Sequence, residues 1–140
     1  IQDGHLTTWF LSLSSARQLG LAATGHASRG TSAPPGPSPS NMWLEPGTTH
    51  VDQLFADVTE GFYVTEMMGM GVNQVTGDYS RGAAGFWIEN GEIAYPVAEV
   101  TVAGNLKEMF RNITPASDLE FRYGIDVPHL RVDGMTLAGE

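Results

Sequence analysis

The sequence predicts an α+β fold, with a mainly antiparallel β-sheet, two short helices and a long proline-rich loop. Residues 83–89 and 92–102 are rich in strand-forming residues and flank Asn90-Gly91, a pair that favours a two-residue hairpin turn. Five of the eight prolines lie within residues 31–47, where they prevent a helix interior or a regular strand ladder. Strands do not alternate with long helices, which argues against a doubly wound nucleotide-binding fold.

Further strands are predicted where Val, Ile, Thr, Leu and aromatic residues cluster. These segments are residues 6–13, 62–65, 118–123 and 129–138. Residues 67–77 are punctuated by glycine, which predicts an irregular connection.

The two predicted helices rest on apolar residues at helical spacing and on polar residues at their starts. Residues 50–59 form the first, with Thr49 and Asp52 as a variant capping box. The second follows Asn105, which is the predicted N-cap, with Glu108 three residues later. Residues 14–21 are predicted to add one helical turn ended by Gly20.

Composition and charge bound the size and the partners of the protein. A length of 140 residues with 41% hydrophobic side chains predicts a single domain over residues 1–140. Sixteen acidic and seven basic residues give a net charge of −9, which argues against a nucleic-acid partner. With Lys107 as its one lysine, the chain has no polybasic anchor for a membrane surface. The absence of Cys excludes disulfides, thiol nucleophiles and Cys-ligated zinc.

The ends of the sequence predict a piece of a longer protein, because a strand is expected almost directly after Ile1. The first residues lack the pattern of a signal peptide, and no apolar run approaches the ~18 residues that span a bilayer. Large apolar residues beside loops are then expected to lie near surfaces that the rest of the longer protein or a partner covers. With these surfaces exposed, the isolated chain is expected to form a homodimer. These large apolar residues are Phe10, Trp43, Phe62 and Trp87.

Local motifs do not establish a catalytic centre. The four histidines lie far apart and form no H-E-x-x-H pair, although a metal site assembled from distant His and carboxylates stays open. The glycine pattern at residues 69–74 lacks the third glycine of a phosphate loop. Ser80 misses the G-x-S-x-G spacing by one residue. Glu89 and Glu92 flank a hairpin turn, where both carboxylates are expected to be solvated rather than to form a catalytic pair. The residues alone therefore indicate an interaction or scaffold domain.

A longer pattern carries a family resemblance. The run Gly-Asp-Tyr-Ser-Arg-Gly-Ala-Ala-Gly-Phe-Trp at residues 77–87 resembles the signature of the TldD/PmbA family, in particular its PmbA (TldE) branch. Residues 72–76 before it and 88–97 after it also match, and the segments 15–21, 24–27, 41–47, 99–109 and 111–113 extend the resemblance over essentially the whole chain.

The resemblance implies the C-terminal part of a cytoplasmic bacterial protein about three times this length. The family is described as a modulator of DNA gyrase that acts in microcin maturation and antitoxin degradation. It implies a metallopeptidase built from TldD and TldE subunits, in which a TldD-like partner holds zinc through an H-E-x-x-x-H helix and a later Cys. Neither feature occurs here. No cofactor is therefore expected in this chain, and zinc is expected only in the partner.

The expected role is a non-catalytic subunit domain that encloses a flexible peptide and contacts the TldD-like partner. The predicted peptide- or partner-binding residues are His26, Asp78, Tyr79, Ser80, Arg81 and Gly82. Glycine near these positions would let another backbone approach, or would only permit turns in the core. Two alternatives remain: an autonomous peptide hydrolase that uses residues such as His26 and Asp78, and a protein that interacts directly with gyrase.

Overall fold

The computed structural model describes residues 1–2 and 5–139. Its backbone divides into two compact units, one formed by Ile1–Trp43 with Phe121–Asp126 and the other by Leu44–Glu120 with Val127–Glu140. Antiparallel strands predominate and three helices are short, so the predicted α+β class is confirmed. The single domain over residues 1–140 stays a prediction. No helix of the described residues is both long and apolar enough to cross a membrane.

The first unit begins with helix α1, Leu13–Leu19. Ser12 caps it, because its Oγ accepts a hydrogen bond from the Ser15 N–H at 3.3 Å, and Gly20 ends it with a left-handed backbone. The predicted helical turn is thus confirmed. The predicted strand over residues 6–13 is wrong: residues 6–12 are irregular, since among the described residues none offers them a strand to pair with.

Short ladders complete the first unit. Strand β1, Ala27–Ser28, pairs antiparallel with β2, Gly36–Pro37, inside the proline-rich segment. Strand β3, Met42–Trp43, pairs in parallel with β8, Ile125–Asp126. The long loop therefore contributes two-residue strands and remains mostly irregular.

A four-stranded antiparallel sheet dominates the second unit, with the strand order β10-β6-β5-β4. Its strands are β4, Glu60–Met68; β5, Asp78–Glu89; β6, Glu92–Asn105; and β10, Thr136–Ala138. Bulges interrupt the register near Thr65 in β4 and twice between β5 and β6. The predicted strands at 62–65, 83–89 and 92–102 are confirmed, and each is longer than predicted.

The remaining elements of the second unit are short. Helix α2 is Val51–Leu54, which is shorter than predicted, and His50 precedes it without a side-chain cap, so the capping box is wrong. Helix α3, Leu106–Arg111, is capped as predicted, because Asn105 Oδ1 accepts from the Lys107 N–H at 3.1 Å. Strand β7, Ile113–Pro115, pairs antiparallel with β9, Leu130–Val132.

Two of the C-terminal predictions are corrected. Residues 118–123 are irregular, because the Asp126 carboxylate accepts backbone N–H groups from residues 122–124 and holds them in a turn. The segment 129–138 is not one strand. A turn at Gly134, with φ of 80°, separates β9 from β10.

The core of both units is small. The buried apolar residues are Leu11 and Ala16 in the first unit, and Leu54, Ala83, Ile88, Val102 and Ala116 in the second. Of the four large residues expected near uncovered surfaces, Phe10 and Trp43 are exposed, while Phe62 and Trp87 are half-buried. Self-association of the chain stays a prediction.

The turn between β5 and β6 has the backbone that the sequence predicted. Asn90 and Gly91 have φ of 51° and 81°, as a type I′ turn requires. The Gly91 N–H also donates to the Val58 carbonyl at 2.8 Å, and a Cβ on Gly91 would lie 2.5 Å from the Ala56 carbonyl oxygen.

We expect Gly91→Val to lower the free energy of unfolding by roughly 1–3 kcal/mol, because a β-branched residue strains a positive φ. Urea denaturation followed by circular dichroism measures this. Gly30→Val is the matched control, since Gly30 has open space around it and no positive φ. An unchanged midpoint in Gly91→Val would contradict the assigned turn.

Candidate functional site

Strand β4 is an edge strand of the four-stranded sheet. Within the part of the chain that the structure describes, β4 pairs only with β5. Its nine residues include no Lys, Arg or Pro, which are residues that natural proteins place on edge strands to prevent pairing with another chain. Its one irregularity is the bulge near Thr65. The edge is therefore open to an added strand.

A hydrogen bond at the Asn90-Gly91 turn indicates which N–H groups of β4 point away from β5. The Asn90 N–H donates to the Thr59 carbonyl at 2.9 Å, which extends the β4–β5 register by one pair. Because hydrogen-bonded and non-bonded pairs alternate in an antiparallel ladder, Phe62 and Val64 direct their N–H groups away from β5. These groups are the donors that an added strand would meet.

The opposite edge is less suited to pairing. Strand β10 covers β6 only at Thr101–Ala103, which leaves the rest of β6 unpaired on that side among the described residues. That part of β6 carries Pro96 and both of the bulges between β5 and β6, whereas β4 carries no proline and one bulge. Proline removes a donor and bulges distort the ladder, so β4 is the better acceptor of the two edges.

A hydrogen-bonded chain of three polar side chains adjoins β4. Asp118 Oδ2 lies 2.5 Å from His129 Nδ1, and His129 Nε2 lies 3.1 Å from the Tyr63 hydroxyl. The His129 backbone N–H also donates to Asp118 Oδ1 at 3.0 Å. Hydrogen bonding by the His129 side chain holds the pKa of Asp118 below its ordinary value of 3.8. The ionised carboxylate favours a proton on Nδ1, so in the neutral ring Nε2 accepts a hydrogen bond from the Tyr63 hydroxyl.

The sequence did not predict this chain of contacts. Asp118 and His129 are 11 residues apart, and Tyr63 and His129 are 66 apart. No local spacing links them, because the contact of Asp118 with His129 depends on the pairing of β7 with β9. The one signal in the sequence was that His129 lies near several Asp and Glu residues. Such a pattern is common in solvated loops and does not indicate a specific contact.

The predicted residues 78–82 form the first part of β5. Asp78 is exposed, and its carboxylate accepts from the Thr76 hydroxyl at 2.7 Å and from Asn105 Nδ2 at 3.1 Å. These bonds, the Thr76 bond foremost, lower the pKa of Asp78. Asp78 thus secures the start of α3 through the capping residue Asn105, which is a structural use of its charge.

The other predicted residues of β5 differ in their contacts. The Tyr79 hydroxyl lies 3.5 Å from Met67 Sδ, and the Ser80 N–H donates to the Gly71 carbonyl at 2.8 Å. Arg81 is half-buried and its Nε is enclosed without an acceptor. A Cβ on Gly82 would make only ordinary contact with Met68, at 3.6 Å. Glycine at position 82 is therefore not required by close packing within the chain.

His26 lies in the first unit and is held by its own neighbours. Its Nδ1 is 2.9 Å from Thr24 Oγ1, and its ring lies 5.0 Å from that of Phe10. The Thr24 hydroxyl donates to the Trp9 carbonyl at 3.1 Å and accepts from the Leu11 N–H at 2.9 Å. His26 therefore belongs to a polar cluster that ties residues 9–11 to residues 24–26.

An aromatic surface lies in the same unit. Trp43 and Phe121 pack edge to face with their rings 5.7 Å apart, and both side chains are exposed. Backbone N–H donation, that of Tyr123 foremost, lowers the pKa of Asp126, which keeps this carboxylate charged and the turn beside Phe121 fixed.

The fit of the chain to zinc is poor. Among residues 1–2 and 5–139, no three side chains of His, Asp or Glu come close enough together to hold a metal ion. The pairs His50–Asp52 and His129–Asp118 each supply two donors. Zinc needs three or four ligands, so these described side chains do not fit a zinc ion.

We expect Asp118→Asn to lower the free energy of unfolding by about 0.2–1 kcal/mol at pH 7, the range for partly exposed ion pairs. Because folding lowers the pKa of Asp118, its contribution is present above pH 3.8 and is lost as the pH falls through the lowered value. Urea denaturation of both proteins at pH 7 and well below pH 3.8 measures the difference. Glu45→Gln, at an exposed carboxylate, is the control. A difference that persists in acid would contradict the assigned pair.

Comparison with known proteins covers the whole chain. The family model for the PmbA/TldA metallopeptidase C-terminal domain matches residues 1–139. The chain is 47% identical over 142 residues to Metalloprotease PmbA of Escherichia coli O157:H7 and 41% identical over 141 residues to the Metalloprotease PmbA homolog of Haemophilus influenzae. These matches cover 100% and 99% of the chain but 29% of each relative, so the chain spans less than a third of their length.

Solved structures agree with these matches. A Thermotoga maritima protein, described as a candidate modulator of a DNA gyrase, superposes with a TM-score of 0.81 at 32% identity, covering 99% of this chain and 32% of that one. TldE from Thermococcus kodakarensis gives a TM-score of 0.76 at 21% identity over 89% of this chain and 29% of that one, which supports the fold alone. The predicted family is thus confirmed by sequence along nearly every residue: the chain belongs to the PmbA/TldD metallopeptidase family and is its C-terminal domain, of the PmbA/TldE-like kind.

Proposed function

We propose that this domain is a non-catalytic part of a PmbA/TldE-like subunit, and that it holds a flexible peptide for a TldD-like zinc subunit. The complex would process or degrade peptides in the cytoplasm. The observation that carries the proposal is the open edge of β4. Membership of a metallopeptidase family supports the reaction class, and the lack of three convergent His, Asp or Glu side chains among the described residues supports placing the metal in the partner.

Strand addition suits a peptidase with several flexible substrates. Backbone hydrogen bonds to a sheet edge depend little on the sequence of the added peptide. The outward N–H groups of Phe62 and Val64 would bond to carbonyls of the peptide, and the neighbouring carbonyls of β4 would accept from it. The sheet would thereby gain a fifth strand held by backbone hydrogen bonds.

Methionines extend this edge with an adaptable apolar surface. Met67, Met68 and Met70 are 39%, 51% and 100% exposed. Methionine is unbranched and polarizable, so it adjusts to differently shaped apolar partners. Side chains of the bound peptide would rest on these residues with little selectivity, which fits the broad substrate range of the proposal.

We expect Val64→Pro to weaken peptide binding about tenfold or more, because proline removes an outward N–H donor and disturbs the edge. The measurement is fluorescence anisotropy of a labelled flexible octapeptide, with the chain alone and with a TldD-like subunit. Ile93→Pro, on the opposite edge of the sheet, is the matched control and should bind within about twofold of the original chain. Equal binding by Val64→Pro and the original chain would contradict peptide addition at β4.

We also expect the purified chain to retain no stoichiometric zinc after dialysis, because it has no Cys and offers no three convergent donors among its described residues. Elemental analysis after incubation with equimolar zinc measures this, with the TldD-like subunit as the positive control. Retention of about one zinc per chain would contradict the assignment of the metal to the partner.

A further inference from the structure

Arg81 differs from the other Lys and Arg residues of the sheet-containing unit, because Lys107 is exposed and the arginines other than Arg81 are paired with carboxylates. Arg111 pairs with Glu108, and Arg131 pairs with Asp57 and Asp133. The Arg81 guanidinium makes no ion pair or hydrogen bond with any residue that the structure describes. Arg17 and Arg29 of the other unit also have no carboxylate partner among the described residues, but both are exposed, whereas Arg81 is half-buried.

The burial of Arg81 makes its lack of an anion costly. Its Nε is closed off from solvent and has no acceptor, whereas the terminal nitrogens Nη1 and Nη2 are not enclosed. A partly desolvated cation is stabilised by an anion at its accessible donors. Two parallel N–H groups of a guanidinium match the two oxygens of a carboxylate, so a carboxylate is the ligand that this geometry fits best.

The position of Arg81 connects it to the β4 edge. Strand β4 ends at Met68, opposite Gly82, and pairing with β5 resumes at the isolated bridge between Val72 and Tyr79. Arg81 lies on β5 beside this interruption. A Cβ on Gly71 would lie 1.5 Å from the Ser80 carbonyl oxygen and 3.5 Å from Arg81 Cγ, so the Arg81 side chain runs along a close approach of the two segments.

We propose that Arg81 binds a carboxylate of the peptide that occupies the edge of β4. The inference rests on the proposed function and adds a specificity element to it. Backbone pairing would hold the peptide along Glu60–Met68, and Arg81 would bind its carboxylate where that pairing ends. The carboxylate is the peptide's C-terminus or an Asp or Glu side chain, since both present the same pair of oxygens.

The test uses three labelled octapeptides of one neutral sequence: one with a free C-terminus, one amidated, and one amidated with a single Glu near its end. We expect the original chain to bind the free-acid peptide roughly 10- to 100-fold tighter than the amidated one, the range for a charge-assisted bond. Tight binding of the Glu peptide assigns the ligand to a side chain, and weak binding assigns it to the C-terminus.

Arg81→Gln should bind all three peptides with the affinity of the amidated one, and Arg81→Lys should restore only part of the preference because it lacks the planar fork. Arg29→Gln removes the same charge from an exposed position and should keep the preference. Equal affinities for the three peptides in the original chain, a comparison that needs no variant, would overturn the role of Arg81. If the three peptides bind equally and Val64→Pro binds the amidated peptide more weakly than the original chain does, the role of Arg81 is contradicted while peptide addition at β4 is supported.

Discussion

The pairing of β5 with both of its neighbours is the constraint on which the second unit depends. Strand β5 is twelve residues long and bonds to β4 on one side and to β6 on the other. It contributes Ala83 and Ile88 to the small apolar core, and its partner β6 contributes Val102. The same register places Asp78 opposite the capping residue Asn105, so the start of α3 is fixed by the sheet rather than by the helix alone.

The excess of acidic residues has a structural use in much of this chain. Asp57 and Asp133 hold Arg131, Asp118 orients His129, and Asp126 fixes a turn through three backbone N–H groups. Hydrogen bonds to the charged form lower the pKa of Asp57, Asp118 and Asp126. Arg81 contrasts with these paired charges, because it is half-buried and its enclosed Nε has no acceptor among the described residues.

Both units have a small apolar core and leave large apolar side chains exposed. Few large side chains are deeply buried, and aromatic and methionine side chains are exposed in both units. Apolar surface of this kind is stabilised when another molecule covers it. The family context agrees, since the chain spans less than a third of its relatives and belongs to a metallopeptidase family whose members carry further sequence.

The sequence by itself determined the features that neighbouring residues control. Asn90-Gly91 specified the hairpin because both residues tolerate a positive φ, and Asn105 specified the start of a helix because its side chain bonds two residues ahead. The signature over residues 77–87 identified the family. Only the tertiary structure decided which predicted segments became strands, since a strand needs a partner and residues 6–12 have none among the described residues. It also brought Tyr63 to His129 and left Arg81 without a carboxylate among those residues, because contacts between distant residues depend on how the strands pack rather than on spacing along the chain.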